Sequence, residues 1–423
     1  MSLISFDIRA LGDAPAVRVW RHRDYALFMT GIGPHYITGW MQRIGVGWLA
    51  WELTHSPAWL GAVAAADLAP MLLIAPFAGA IVDRWNPHAQ MKLALLAIIV
   101  HAIVLAGLTV AGLMTIELLL AITLVNGMLM PVYNAARTTI VPACVPRSDF
   151  PSAVSLDSSF FHGSRFVGPM LAALVITQWG VGACFVAHVV GLAFFILQVF
   201  RMNVSPPSRK QAGGSIWNDV TAGLAYVRGH PGIFPLFMLM TVSSLAARPL
   251  QDFLPGFAGG VFGSGADGLA VLTAGMGVGA MIGATWIALR GHTRGLVKIV
   301  VVCMVGLGIA QLGFVSTTSL WLAFGWAALS GLTLTVMATG IAALVQMSVN
   351  DSMRGRVMSL LAMIYRGVPA IGALAMGFAA EGIGLRATFA FAALGCIVAW
   401  LWMAPGSKAI ESAMQESAGK RGG

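Results

Sequence analysis

Twelve apolar runs of bilayer-spanning length divide this sequence and leave little chain for anything else. A transmembrane helix needs about 20 consecutive, mostly apolar residues. Bounded by charged or turn residues, the runs cover 25–51, 57–81, 91–114, 117–141, 153–178, 181–201, 232–253, 268–289, 296–316, 319–347, 356–380 and 385–404. Of the 423 residues 58% are hydrophobic and only 10% are charged, whereas soluble domains carry about 25% charged residues. The 50 glycines and 19 prolines lie largely inside apolar runs, as is common in membrane helices. The expected fold is an all-α membrane protein of twelve transmembrane helices.

The longest stretch between runs, 202–231, is polar and rich in Pro and Gly, and it splits the chain into two six-helix halves. The organisation expected is an N-terminal segment 1–24, a first half 25–201, a central loop 202–231, a second half 232–404 and a fraying polar tail 405–423. Residues 1–24 carry no cleavable signal pattern, so the first span is expected to stay in the mature protein. With spans alternating in direction, Lys and Arg segregate. Arg386 falls in a loop on one side, and Arg43, Arg165, Arg248 and Arg366 fall inside spans. Every other Lys and Arg of the 25 lies on the side that holds both termini. Such loops stay in the cytoplasm, so a multi-pass protein of the inner (plasma) membrane with both termini cytoplasmic is expected. The same segregation accounts for the formal net charge of +9 without a nucleic-acid partner.

The halves echo one another. Ser155-Leu156 opens the fifth span after a Pro-Arg-Ser-Asp turn, and Ser359-Leu360 opens the eleventh after Asn-Asp-Ser-Met-Arg-Gly-Arg. Arg165 precedes Gly168-Pro169 as Arg366 precedes Pro369 and Gly372. Chance likeness between two Gly/Pro-containing apolar helices is the alternative, but it accounts poorly for a matched arginine near each midpoint. Two pseudo-symmetric six-helix bundles with a site at their interface are the plan of a secondary transporter.

The connection after the second run reads Gly79-Ala-Ile-Val-Asp83-Arg84-Trp-Asn-Pro-His88. It resembles the loop signature of the major facilitator superfamily, Gly-x-x-x-Asp-Arg-x-Gly-Arg-Arg/Lys. Four further stretches are similar to the branch that holds enterobactin exporters and macrolide-efflux proteins. They are Trp40-Met-Gln42-Arg43 with Trp48-Leu-Ala-Trp51-Glu52, Ile140-Val-Pro142 with Val145-Pro-Arg147, Arg165-Phe-Val-Gly168-Pro169, and Arg354-Gly355-Arg356-Val-Met-Ser359. The resemblance covers roughly residues 20–405. It implies the major facilitator fold and an alternating-access transporter, usually a monomeric exporter driven by proton entry, with a small-molecule substrate, protons and the bilayer as partners. It also implies that Asp83 braces a cytoplasmic gate against the start of the eleventh helix at Arg354–Arg356, and against a basic residue ending the fourth, here Arg137. A merely solvated Asp83 and Arg84 are the plain alternative. Asn86 stands where the family has Gly, and Pro87 and His88 where it has basic residues, so part of that charge network is missing. Gly168-Pro169 resembles the antiporter motif of the fifth helix, where a kink serves as a hinge, with Ala172-Ala173 in place of the expected glycines.

An ionisable side chain at the centre of a membrane helix costs about 2.5–3.5 kcal/mol on insertion scales, so such residues face protein or a wet cavity and are functional candidates. Arg165 and Arg366 are expected beside one central cavity, as a positive ceiling that attracts anionic groups or repels cations. Arginines donating to helix carbonyls are the alternative. Asp67 lies in the apolar second span at a depth similar to that of Arg43. Burial and a neighbouring cation act oppositely on a carboxylate's hold on its proton. The pair therefore reads either as a proton carrier engaged in one conformation or as a permanent bridge. Asp157 reads as a second proton site or as an anion in the first turn of the fifth helix. His162 lies between Asp157 and Arg165, and reads as a proton relay or a packing histidine. Trp40 and Gln42 are candidate cavity residues, whereas Trp51 and Trp59 near a span end read as interface anchors. Arg248 and Asp252, four residues apart, are expected to pair with each other.

Other chemistries find little support. Cys144, Cys184, Cys303 and Cys396 match no zinc or disulfide spacing, and neither metal nor cofactor is expected. Gly275-Met-Gly277-Val-Gly279-Ala nearly matches a dinucleotide fingerprint but lies in an apolar helix with no strand before it. Gly279-x-x-x-Gly283 reads instead as close helix packing. No Gly-x-x-x-x-Gly-Lys-Ser/Thr occurs, which removes ATP as the direct energy source. Scattered histidines do not supply the catalytic set of a membrane-embedded enzyme. The expected function is export of a hydrophobic or amphiphilic small molecule, drug- or siderophore-like, by proton antiport. Import of a siderophore or lipid-like solute on the same fold is the alternative.

Overall fold

The computed structural model describes residues 15–84, 86–204, 216–290, 292 and 294–419, with some of them, including residues 75–84 and His162, described by backbone alone. Twelve long helical segments dominate it. They are α1 (Arg23–Thr54), α2 (Pro57–Arg84), α3 (Pro87–Val110), α4 (Ile116–Ala143), α5 (Phe150–Trp179) and α6 (Val181–Arg201), followed by α7 (Ile233–Val261), α8 (Gly265–Arg290), α9 (Leu296–Ser316), α10 (Leu320–Ser348), α11 (Asp351–Ile383) and α12 (Leu385–Met403). Eleven are long and apolar enough to cross a membrane by composition. α1 is the exception, because its charge-free stretch 25–42 is diluted by Gly, Thr, Tyr, Pro34, His35 and Gln42 and Arg43 follows it. Its 32 residues reach about 48 Å at 1.5 Å per residue, and it packs lengthwise against α5 and α6. It is the twelfth span.

The pairing of helices repeats. α1 packs on α5 and α6, α2 on α4, and α3 on α4 and α6. Six helices later, α7 packs on α11 and α12, α8 on α10, and α9 on α10 and α12. The two main contacts between halves, α2 with α11 and α5 with α8, exchange under the same shift. This is the pseudo-symmetric pair of six-helix bundles. The peripheral helices turn apolar stripes outward at helical spacing, Leu96, Val100 and Ile103 on α3 and Phe391, Leu394 and Val398 on α12. Such faces suit lipid rather than water. α8 and α10 approach so closely that a Cβ on Gly279 would lie 1.7 Å from the Ala328 carbonyl oxygen, and one on Gly283 2.8 Å from that of Leu332.

Three apolar clusters show how the halves meet. One cluster, at the end of the bundle far from the termini, mixes residues of both halves, including Trp51, Leu60, Phe253, Phe257 and Phe389. At the end that holds the termini there are two separate clusters, one wholly in the first half and one wholly in the second. Polar links reinforce the far end. Ser56 Oγ donates to Glu381 at 2.8 Å, joining the α1–α2 connection to α11, and Thr177 Oγ1 donates to Asp267 at 3.0 Å, joining α5 to α8. Trp51 is buried here rather than anchored at an interface. It fills a notch in α7 where a Cβ on Gly259 would come within 2.2 Å of its indole nitrogen.

Several helices begin before their apolar runs. α3 starts at Pro87 because the Asn86 side chain accepts hydrogen bonds from the amides of His88 and Ala89, and α11 starts at Asp351. The apolar pattern marks only the part of a helix that lipid or core covers. The central loop contains the helix Ile216–Gly229, laid against α11. The tail, expected to fray, forms the helix Ser407–Gly419, which buries Ile410 and Met414. Its Glu411 accepts from the Gly295 amide at 2.9 Å.

Candidate functional site

Arg43, in the middle of α1, is shared by two carboxylates. It donates to Asp67 on α2 and, at 2.9 Å, to Asp252 on α7. Asn126 on α4 completes the Asp67 site, its Nδ2 donating to Oδ1 at 3.1 Å. The Arg43 side chain is 23% exposed, that of Asp67 19% and that of Asp252 10%. One cation facing two carboxylates leaves the cluster one negative charge, and one proton brings it to neutrality. The link to Asp252 crosses from one half to the other. Arg248 does not pair with Asp252, because the turn at Ala247–Pro249 interrupts α7 and removes the i,i+4 register. Arg248 instead donates to Gln251 Oε1 at 2.8 Å.

A second ion pair lies within the first half. Arg137 Nη1 donates to Asp157 Oδ2 at 2.7 Å and to the Tyr36 hydroxyl, which in turn donates to Asp157 Oδ1 at 2.9 Å. Asp157 is not in the first turn of its helix. α5 begins at Phe150, so Asp157 stands two turns inside and 9% exposed, where the helix start no longer stabilises an anion. Arg137 likewise does not end α4, which runs on to Ala143.

Arg165 and Arg366 occupy the middle of α5 and α11. Arg165 Nη1 donates to the Tyr365 hydroxyl at 3.4 Å, and its guanidinium lies 5.2 Å from the ring centre of Trp40. Arg248 lies 5.7 Å from the ring centre of Tyr365, whose hydroxyl is within electrostatic reach of Arg165, Arg248 and Arg366. Among the described residues none of these three arginines has a carboxylate at ion-pair distance. Placed in a membrane they forfeit about 2.5–3.5 kcal/mol each on insertion scales, and a cation–π contact returns only about 0.5–2 kcal/mol. Gly168 packs directly against α1 at Trp40. A Cβ there would lie 2.4 Å from that of Trp40, so the glycine lets Trp40 reach Arg165.

Two cavities of about 280 Å³ flank the cluster. The first, among α1, α2, α4 and α7, is bordered by Trp40, Gln42, Arg43, Asp67, Asp252 and Arg366. Gln42 is buried with its Oε1 unpartnered, as are His35 Nδ1 and both ring nitrogens of His101 on the same wall. The second, among α5, α7, α8 and α10, is bordered by Arg165, Phe166, Leu254, Met276, Met281 and Tyr365. Gln251 lines both.

The structure thus brings together Trp40, Gln42, Arg43, Asp67, Arg165 and Arg366, and holds Asp157 with Arg137. The signature side chains Gly79, Asp83, Arg84 and the His162 ring lie outside the described residues. Arg354 pairs with Asp351 at 2.5 Å on the surface. The free amides of α11 belong to its start at Asp351, one turn before the Arg354–Arg356 segment. Sequence reasoning missed Tyr36, Asn126, Asp252 as a partner of Arg43, and Tyr365. A hydroxyl, amide or carboxylate inside an apolar run was the available signal, and Tyr365 alone also stands beside a charged residue. No group of three or more His, Cys, Asp or Glu able to hold a metal occurs among the described residues.

Residues 28–418 match a family model described as transmembrane secretion effector. The staphyloferrin A transporter of Staphylococcus aureus (strain NCTC 8325 / PS 47) is 22% identical over 363 residues, 86% of this chain and 91% of that protein. Macrolide efflux protein A of Streptococcus pyogenes is 20% identical over 377 residues, 88% of this chain and 92% of that protein. The crystal structure of the nucleoside transporter NupG matches with a TM-score of 0.70 at 13% identity, over 92% of this chain and 98% of that one. A bacterial homologue of the human lysosomal transporter Spinster matches with a TM-score of 0.70 at 12% identity, over 94% and 97%.

Proposed function

The chain belongs to the transmembrane secretion effector family of the major facilitator superfamily and is a multi-pass secondary transporter rather than an enzyme, and from that premise we propose that it exports a hydrophobic or amphiphilic small molecule by proton antiport. The observation that carries the reading is the Asp67–Arg43–Asp252 cluster, which ties a titratable group to the contact between halves. Efflux is favoured over import by the macrolide efflux relative. The clustering of Lys and Arg at the end that holds the termini makes that end cytoplasmic, in the inner membrane.

With that orientation the far end is periplasmic and sealed, and the structure corresponds to an inward-facing form with both carboxylates engaged by Arg43. Substrate loads from the cytoplasm into the cavities. The halves then rock, the periplasmic end opens, and Asp67 takes up a proton, which releases Arg43 from its own half. The return carries the proton inward, where Arg43 displaces it. Moving one charge through the field is worth about 2.3 kcal/mol per 100 mV, enough to bias states that differ by a few kcal/mol. Asp157, held by Arg137 and Tyr36, is the second candidate carrier, and His162 is a candidate relay between it and Arg165. Gly168-Pro169 inside α5 supplies the bend for rocking. Gly79, Asp83, Arg84, Arg137, Arg354 and Arg356 remain the proposed cytoplasmic gate.

The test is proton flux in everted membrane vesicles, followed with a pH-sensitive dye as macrolides and other amphiphiles are added. Wild type should discharge the gradient on substrate addition and Asp67→Asn should not. Unchanged discharge in Asp67→Asn with loss in Asp157→Asn would move the carrier to Asp157. No discharge by wild type with any compound would refute promiscuous proton-coupled export.

A further inference from the structure

Membership of the family leaves the chemistry of the cargo open. We infer that the second cavity, with Arg165 in its wall and Arg248 behind the ring of its Tyr365, is a binding site for an organic anion: an aromatic or amphiphilic molecule carrying a carboxylate or similar acidic group. This rests on the transporter reading and names what the site takes.

The arginines of the cavity region are of two kinds. Arg43 and Arg137 are each held by carboxylates. Arg165, Arg248 and Arg366 have none at ion-pair distance among the described residues; Arg165 donates instead to the Tyr365 hydroxyl, and Arg248 lies over the Tyr365 ring. The second cavity contains no acidic side chain at all in its lining, and its one charged group is Arg165. A cationic cargo would meet only repulsion there. A carboxylate would meet the planar N–H fork of Arg165, whose geometry binds its two oxygens as a pair. The ring faces of Trp40 and Tyr365 cover two of the guanidinium planes and leave in-plane donors, of which Arg248 Nε is buried without a partner. Beyond the arginine, Phe166, Leu254, Met276 and Met281 supply an apolar chamber for the rest of the molecule. Methionine adapts to varied shapes, which suits an amphiphile.

The site is also divided between halves. Arg165 belongs to the first half, and Arg248, Arg366 and Tyr365 to the second. An anion bridging them draws the halves together where three like charges otherwise push them apart. Occupancy therefore changes the balance between conformations, which a coupled carrier requires.

The experiment uses the full-length protein in detergent and a matched pair of probes, 1-naphthylacetate and 1-naphthylmethylammonium, with binding measured by equilibrium dialysis. Naphthylacetate should bind saturably and the ammonium probe should not compete. Loss of one charged hydrogen bond weakens binding by about tenfold to a hundredfold, so Arg165→Gln and Arg248→Gln should each do so. Arg165→Lys, which keeps the charge, should recover part of the affinity, and Tyr365→Phe provides a milder change. Melting temperatures identify any variant that has lost its fold. Equal or tighter binding of the ammonium probe, no naphthylacetate binding at millimolar concentration, or affinity untouched by folded Arg variants would each overturn the inference. The assay needs no proton gradient, so it stands or falls separately from proton-coupled export.

Discussion

Replacing Asp252 by Asn tests whether Arg43 acts as a latch between the halves. Arg43 holds Asp67 of its own half and, through a 2.9 Å bond, Asp252 of the other. The side chains are 23% and 10% exposed, so water weakens that bond only in part. Removing one partner of a buried pair costs about 3–5 kcal/mol when the other charge is left alone. Here Arg43 keeps Asp67, so the loss falls to that of one charged hydrogen bond, about 1.5–3 kcal/mol. The amide that replaces the carboxylate still accepts a hydrogen bond, which places the effect near the lower figure, about tenfold in the balance between sealed and open far ends. Spin labels on Leu53→Cys and Ile383→Cys would report it, since both positions are exposed near the far ends of α1 and α11. The native cysteines Cys144, Cys184, Cys303 and Cys396 are buried and should resist labelling. If the open form is about 1% of wild type, within the usual range of minor states, a longer distance should appear in about 10% of Asp252→Asn molecules. Identical distance distributions in wild type, Asp252→Asn and Arg43→Gln would refute the latch.

Three further expectations follow from the packing and the ion pairs. Gly279→Val forces a side chain onto the Ala328 carbonyl and should destabilise the second half by about 1–3 kcal/mol, seen as a lower melting temperature; Gly107→Ala, which meets open space, should leave melting unchanged. Arg137→Gln and Asp157→Asn should each lower the melting temperature, and the double variant should be no worse than the weaker single, because the two share one interaction. Asp149, just before α5, accepts from His22 Nε2 and Arg18 Nε, each at 2.9 Å, and these contacts, His22 first, hold its carboxyl below the usual range. A depressed carboxyl stabilises above its unfolded value of about 3.9 and loses that contribution as pH falls through the folded value. Pepsin should therefore cut the segment before α1 progressively faster, relative to Asp149→Asn at the same pH, as the pH falls from about 4 through the lower folded value.

The spans, their division into halves and the apposition of Arg43 with Asp67 were legible because each rests on a one-dimensional signal: apolar length, charge asymmetry, or depth along a helix. Asp252 was misassigned for a reason the sequence conceals. Its i,i+4 spacing from Arg248 has meaning only in an unbroken helix, and the turn at Ala247–Pro249 breaks it. Asp157 was misplaced because α5 begins with Phe150 and Pro151, whose helical start no apolar periodicity announces. Trp51 reads as an interface residue from its place near a span end, and only the glycine notch of α7 shows that it closes the bundle. Tyr365 stands next to Arg366 in sequence, yet its importance comes from Arg165 and Arg248, which reach it from other helices.

The polar character of α1 bears on how the chain enters the membrane. α1 is synthesised before the other eleven spans, yet it is not among the helices apolar enough to partition into lipid on composition. Its Arg43 has no counter-charge until α2 emerges, after a connection of only His55 and Ser56. The insertion machinery must therefore retain α1 and release α1 and α2 together as a hairpin, neutralised by Arg43 and Asp67. Asn126 joins when α4 arrives, and Asp252 only with α7. The residue that ties the two halves together is thus left with an open valence through half of biosynthesis, and the arrival of α7 is the first point at which it is filled.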